Sequence, residues 1–145
     1  MSKENVELVR ALMPDGIDMA EVLKGDDPGS LLAGRPVDAI DPDVQVVFEG
    51  TQTGGPPVVF DGLGGLLEGW VDWLIPWESY RLDIEEIIDA GDHVVVTAKV
   101  TARTERHGVE LEHGPAAVWS LRDGRVVAVR FFLERDHAFE FAGRT

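Results

Sequence analysis

The chain has 145 residues, a length that suits one domain, and 44% of them are hydrophobic against 28% charged, enough for a core and too apolar for a disordered chain. Its net charge of −14, from 27 acidic and 13 basic side chains, repels phosphate backbones and anionic headgroups, which argues against nucleic acid and membrane surfaces as partners. There is no cysteine, so disulfides, thiolate nucleophiles and Cys-based zinc sites are excluded.

From the start, Val6, Val9, Leu12 and Met13 recur at spacings of three and four and predict a helix over residues 2–13, capped by Ser2 and stopped by Pro14 and Gly16. The opening MSKENVELVR lacks the apolar run of a signal peptide, and no stretch approaches the roughly 18 apolar residues that span a bilayer, so the expected location is the cytoplasm. Short helices are expected over 18–24 and 30–33, with Gly/Pro/Asp-rich turns around them. Asp41-Pro42-Asp43 reads as a turn into a first strand, 44–49, and 51–57 as a Gly/Pro loop. Asp61 is placed to cap a helix in which Leu63, Leu66, Leu67, Trp70, Leu74 and Trp77 recur at helical spacing, with Pro76 at its end.

Four strands follow, 80–88, 94–106, 109–121 and 126–134, separated by Asp89-Ala90-Gly91-Asp92, His107-Gly108 and Arg122-Asp123-Gly124. A last helical turn, 136–142, ends at Gly143. Helices, one strand, a helix and a four-strand meander make an α+β domain spanning 1–145, with an antiparallel sheet covered on one face. In the long strand, alternation puts Val94, Val96, Ala98, Val100 and Ala102 on the covered face. Thr97, Lys99, Thr101 and Arg103 fall on the solvated one.

Four stretches in this order carry a family resemblance: ENVELVRALM, DPDVQVVFEG, FDGLGGLLEGWVDWLIPWESYRLDIEEIIDAGDHVVV and GVELEHGPAAVWSLRDGRVVAVRFFLERDHAFEFAG. Together they resemble the SnoaL-like, nuclear transport factor 2-like superfamily, which has the ketosteroid isomerase-like fold. The resemblance implies a cone-shaped, strongly curved antiparallel sheet wrapped around the helices, a pocket in its mouth for a small apolar molecule, and a homodimer through the outer sheet face, where Thr97, Thr101, Ala116 and Val118 lie. Because that superfamily includes enzymes and non-catalytic members, function must be argued from the site.

Polar residues on an apolar face are the informative ones. His113 shares a parity with Ala117, Trp119 and Leu121, which puts a titratable imidazole on the covered face if Gly114-Pro115 introduces no bulge. Arg130, Phe132 and Glu134 share a parity, and Glu134 is expected inward, beside His113 and with a raised pKa. Glu49 ends the first strand, where a slip of one residue would turn Phe48 inward in its place. His113 and Glu134 are the candidate bases, with Arg130 to polarise an oxygen and Glu49 as a further candidate. Phe48, Trp70, Trp73, Trp77, Tyr80, Trp119 and Phe132 are the candidate pocket wall.

Against the limonene-type epoxide hydrolases of the superfamily, Lys99 and Thr101 stand where an Arg and Asp are needed. Against its isomerases, the first helix has no tyrosine. His93, His107, His113 and His137 have no metal-ligand spacing, and no Gly-rich loop carries the Lys and Ser/Thr of a phosphate cradle, so neither metal nor cofactor is expected. Three uses stay open: cofactor-free isomerisation, cyclisation or dehydration by general acid–base chemistry, ligand binding without turnover, and a dimerising domain whose pocket is filled by its own side chains.

Overall fold

A computed structural model describes residues 2–25, 31–49 and 57–144. Its elements are α1 (Ser2–Leu12), β1 (Ile17–Asp18), α2 (Met19–Gly25), a 3-10 turn (Val37–Ala39), β2 (Ile40–Glu49), β3 (Val58–Asp61), α3 (Gly62–Leu74), β4 (Trp77–Ala90), β5 (His93–Thr104), β6 (Glu110–His113), β7 (Ala116–Arg122), β8 (Arg125–Phe132) and α4 (Arg135–Arg144). The strands form one curved sheet in the order β1-β4-β5-β7-β8-β2-β3, with β6 continuing β7 along the far half of β5.

The cone-shaped α+β architecture is as expected, with one difference. The sheet is mixed, because β2 runs parallel to β8 while every other pair is antiparallel. A parallel neighbour needs a long crossover, and α3 with the meander supplies it. The alternation of β5 holds: Val94, Val96, Ala98, Val100 and Ala102 join the main core, while Lys99, Thr101 and Arg103 are exposed.

That core lies between the concave face and α1, α2 and α3. α3 comes close because it carries glycine at positions 65 and 69 on one face. A Cβ at Gly65 would sit 2.9 Å from Phe60 Cβ, and one at Gly69 would run into the ring of Phe48. Arg35 holds the end of α1, donating to the carbonyls of Ala11 and Met13 at 3.2 Å each, a cation where a helix dipole is negative. Asp18 ties the next turn to the sheet, its Oδ1 accepting the Glu21 amide at 3.0 Å and the Tyr80 amide at 2.9 Å.

A second, smaller core lies on the convex face. There Val95, Ala116, Val118 and Phe132 are buried under Ala138 and Ala142 of α4. Thr97, 1% exposed, is also buried, so this stretch of the outer face is not solvated as alternation suggested. Of the four outer-face positions expected to carry a dimer, Ala116 and Val118 pack beneath the chain's own α4 and Thr97 is buried, while Thr101 is exposed.

Several boundaries moved. β2 begins at Ile40 and takes in the Asp-Pro-Asp stretch, with a register shift between Ile40 and Gln45 and Asp41 Oδ1 accepting the Asp43 amide at 2.8 Å. β1 and β3 were not foreseen. Trp77 opens β4 and does not close α3, because Pro76 breaks the helix first. Asp61 occupies the N-cap position of α3 but makes no side-chain cap bond. The helix expected over 30–33 begins outside the described residues, and 32–34 form a turn.

Candidate functional site

The concave sheet and α3 enclose an apolar cavity of about 60 Å³. Phe48 and Phe131 form its sheet wall, stacked with centroids 4.8 Å apart, and Trp73 of α3 leans on Phe48 at 5.4 Å. Trp70 adds a second indole, edge-on to Phe131 at 6.3 Å. Met13 and Met19 close the end held by Arg35 and Asp18, and thioether side chains there can repack around different shapes. Ala98 and Pro115 complete the wall between β5 and the β6–β7 strand.

Among the described residues that line the cavity, Trp70, Trp73 and Tyr80 bring the polar side-chain hydrogens. The Trp73 Nε1–H donates to the Tyr80 hydroxyl at 2.9 Å. Having accepted that bond, the phenol still carries its own proton, and none of the described residues accepts it. Burial pushes the Tyr80 pKa up to about 12, with the Trp73 N–H pulling the other way, so the phenol stays neutral across the physiological range. The group is a positioned hydrogen-bond donor in an apolar box, too weak an acid to give up its proton readily.

His113 sits on the concave side, as parity required. Residues 97 and 116 pair, and so do 100 and 113, which leaves two residues on each strand between them and no bulge at Gly114-Pro115. Its ring is edge-on to Tyr80 at 6.0 Å, and its Nε2 is buried with no partner among the described residues. Burial lowers its pKa from 6.5, which favours neutral imidazole. The residue belongs to an open groove with Glu85, Lys99 and Glu112 and does not line the cavity itself.

The other candidate bases fall elsewhere. β8 pairs Leu121 with Val126 but Ser120 with Ala128, so one residue is extra and the alternation reverses. Val126, Val129 and Phe131 face the main core, and Arg130 and Phe132 turn to the convex side. β8 ends at Phe132, and Glu134 lies beyond it with 73% of its side chain exposed, 3.9 Å from His137 Nε2 in the first turn of α4. The inward, partly buried Glu134 beside His113 is therefore not found.

In β2, Phe48 is the inward residue and Glu49 points out. Glu49 pairs with Arg130, whose guanidinium lies 4.7 Å over the ring of Phe141 in α4. These two candidates join each other, but as a brace under α4. Lys99 and Thr101 are both exposed, as expected.

Of the expected wall, Phe48, Trp70, Trp73 and Tyr80 line the cavity. Phe132 borders it, but its ring packs with Phe141 at 6.0 Å in the convex core. Trp77 and Trp119 are core residues away from the cavity. Among the wall residues missed were Met13, Met19, Leu82, Ala98, Pro115 and Phe131. Leu82 shared a parity with Tyr80 and Ala98 lay on the covered face of β5, whereas nothing short of the bulge marked Phe131 over Phe132. Among the described residues no three His, Asp or Glu side chains converge as a metal would require, and no helix is long and apolar enough to cross a membrane.

The model of the SnoaL-like domain family matches residues 21–129. No functionally curated protein matches the chain. Solved structures do. TerC, co-crystallized with polyporic acid, is 20% identical, with 98% of this chain and 99% of that one aligned and a TM-score of 0.62. A protein described as a SnoaL-like polyketide cyclase, from Jannaschia sp. CCS1, is 17% identical over 99% of this chain and 94% of that one, with a TM-score of 0.64. A protein with a ketosteroid isomerase-like fold from Catenulispora acidiphila, solved with trimethylamine, is 16% identical over 88% of this chain and 85% of that one, with a TM-score of 0.61. At these identities the likeness is one of fold.

Proposed function

The chain belongs to the SnoaL-like domain family, and on that premise we propose that residues 1–145 act as one cytoplasmic binding domain for a small, largely apolar molecule that offers an oxygen to the Tyr80 hydroxyl. The observation that carries this reading is the cavity wall: aromatic and aliphatic side chains around one neutral phenol whose proton no described residue accepts. Such a wall gains affinity from apolar contact and orientation from one hydrogen bond. Binding without turnover is supported better than acid–base catalysis. Glu134, Arg130 and Glu49 lie outside the cavity, and His113 alone gives no acid–base pair.

The size of the cavity favours one competing reading, a structural domain filled by its own side chains. About 60 Å³ is well below the roughly 150 Å³ of an apolar cavity that admits benzene, so a ring-sized ligand needs the wall to yield. Quenching of the Trp70 and Trp73 fluorescence by 1-indanone, with indane as the hydrocarbon control, separates the two. A net hydrogen bond of about 1 kcal/mol predicts that Tyr80→Phe weakens indanone binding about fivefold and leaves indane unchanged. Equal loss for both ligands, or no saturable quenching by either, would sink the binding reading.

A further inference from the structure

The cavity wall has a seam, and it runs through Ala98. In the antiparallel ladder Ala98 faces position 115, and its amide donates to the Pro115 carbonyl at 3.1 Å. The return bond cannot form, because proline has no N–H. On the other flank of β5 the register with β4 shifts between Ile84 and Glu86, which makes Glu85 the extra residue of a bulge, also beside Ala98. Both neighbours of β5 are therefore irregular at the same level of the sheet, where Ala98 and Pro115 border the cavity.

One side chain stitches the seam. Arg135, the first residue of α4, donates from Nη2 to the Ala98 carbonyl at 2.9 Å, which fills the place of the missing proline N–H. The same nitrogen meets Glu85 Oε1 at 2.6 Å, and Nε reaches the Gly114 carbonyl at 3.3 Å. Gly114 makes the approach possible, since a Cβ there would stand 2.5 Å from Arg135 Nη2 and 3.1 Å from Cζ. A guanidinium can bond three strands from one plane, and a lysine cannot.

The geometry points to Arg135 as a clasp that keeps the cavity small, and to its release from Ala98 as the motion that widens the wall for a ligand. The clasp joins α4 on the convex side to the cavity on the concave side. The cavity needs such a motion before it can take a ring. The widening step rests on the binding reading above; the clasp itself does not.

Amide hydrogen exchange tests the clasp without any ligand. Arg135→Ala is expected to speed exchange of the Ala98 amide at least tenfold, and that of Val118 and Trp119 less than twofold. Glu85→Gln, which leaves the arginine in place, should give a smaller change at the same amide. Adding Pro115→Ala to Arg135→Ala returns an N–H to the Ala98 carbonyl and should restore slow exchange. Unchanged exchange at Ala98, a uniform rise across the sheet, or failure of the proline replacement to rescue would each overturn the clasp. For the widening step, Arg135→Ala should bind 1-indanone several-fold faster than the parent, and an unchanged association rate would overturn it. If no variant binds indanone, the binding reading and the widening fall together, while the exchange data still decide the clasp.

Discussion

Two glycines five residues apart on α3 offer a controlled comparison. Gly64 is exposed, and a Cβ there meets nothing within 4 Å. Gly69 is buried, and its Cβ would overlap Phe48 Cε1, with Phe48 Cζ at 2.8 Å and Phe60 Cδ2 at 3.2 Å. Alanine at either position gains helix propensity, about 0.5–1 kcal/mol. At Gly64 that gain stands alone. At Gly69 it is set against overpacking of about 1–3 kcal/mol, because Phe48 has little freedom to move. Its ring is stacked on Phe131, tilted against Trp73 and edge-on to Phe60 at 5.9 Å. Gly64→Ala should therefore stabilise the fold, and Gly69→Ala should fall below it by the overpacking term. Urea midpoints read the difference directly, and for a chain of this length a 2 kcal/mol gap corresponds to about 4–8 °C in Tm. If the two alanine variants rise together, α3 does not approach β2 as closely as described, and the wall built on Phe48 is misplaced.

Tyr80 is the chain's one tyrosine, so phenolate absorbance reports it alone. The folded protein should titrate near 12 and the denatured chain near 10.0, and a folded midpoint at the denatured value would mean the phenol is not buried. An acid whose folded pKa is raised resists ionisation in the native state, so stability should drain away as pH rises above 10.0. His113 and His93 shift the other way, both lowered from 6.5 chiefly by burial. The unfolded chain then binds protons that the folded one refuses. Stability should accordingly fall as pH drops below 6.5, and His113→Gln should flatten that fall. An acid limb just as steep in the His113→Gln protein would mean that the imidazole is not desolvated.

Local pattern was enough for the order of α1, α2, β2, α3, β4, β5, β8 and α4, the two faces of β5 and the concave position of His113. Periods of two and about 3.6 are properties of the chain itself, and an unbroken ladder carries parity from one end of a strand to the other. The same rule misled at β8, where one extra residue between Leu121 and Ser120 partners exchanged Phe131 for Phe132 and turned Arg130 away from the cavity. Nothing in Arg125-Val126-Val127-Ala128 marks a bulge, because a bulge is settled by the partner strand and not by the residues that form it.

Helix α4 was likewise legible as a last helical turn over 136–142, but its docking on the convex side was not. That docking buried Ala116 and Val118, drew Glu49 and Arg130 into a brace beneath Phe141, and brought Arg135 to the proline gap. The sequence alone thus determined which residues are able to face inward, through periodicity. Only the tertiary structure decided which do, and what Tyr80 and Arg135 touch, because register and helix docking depend on contacts between segments far apart in the chain.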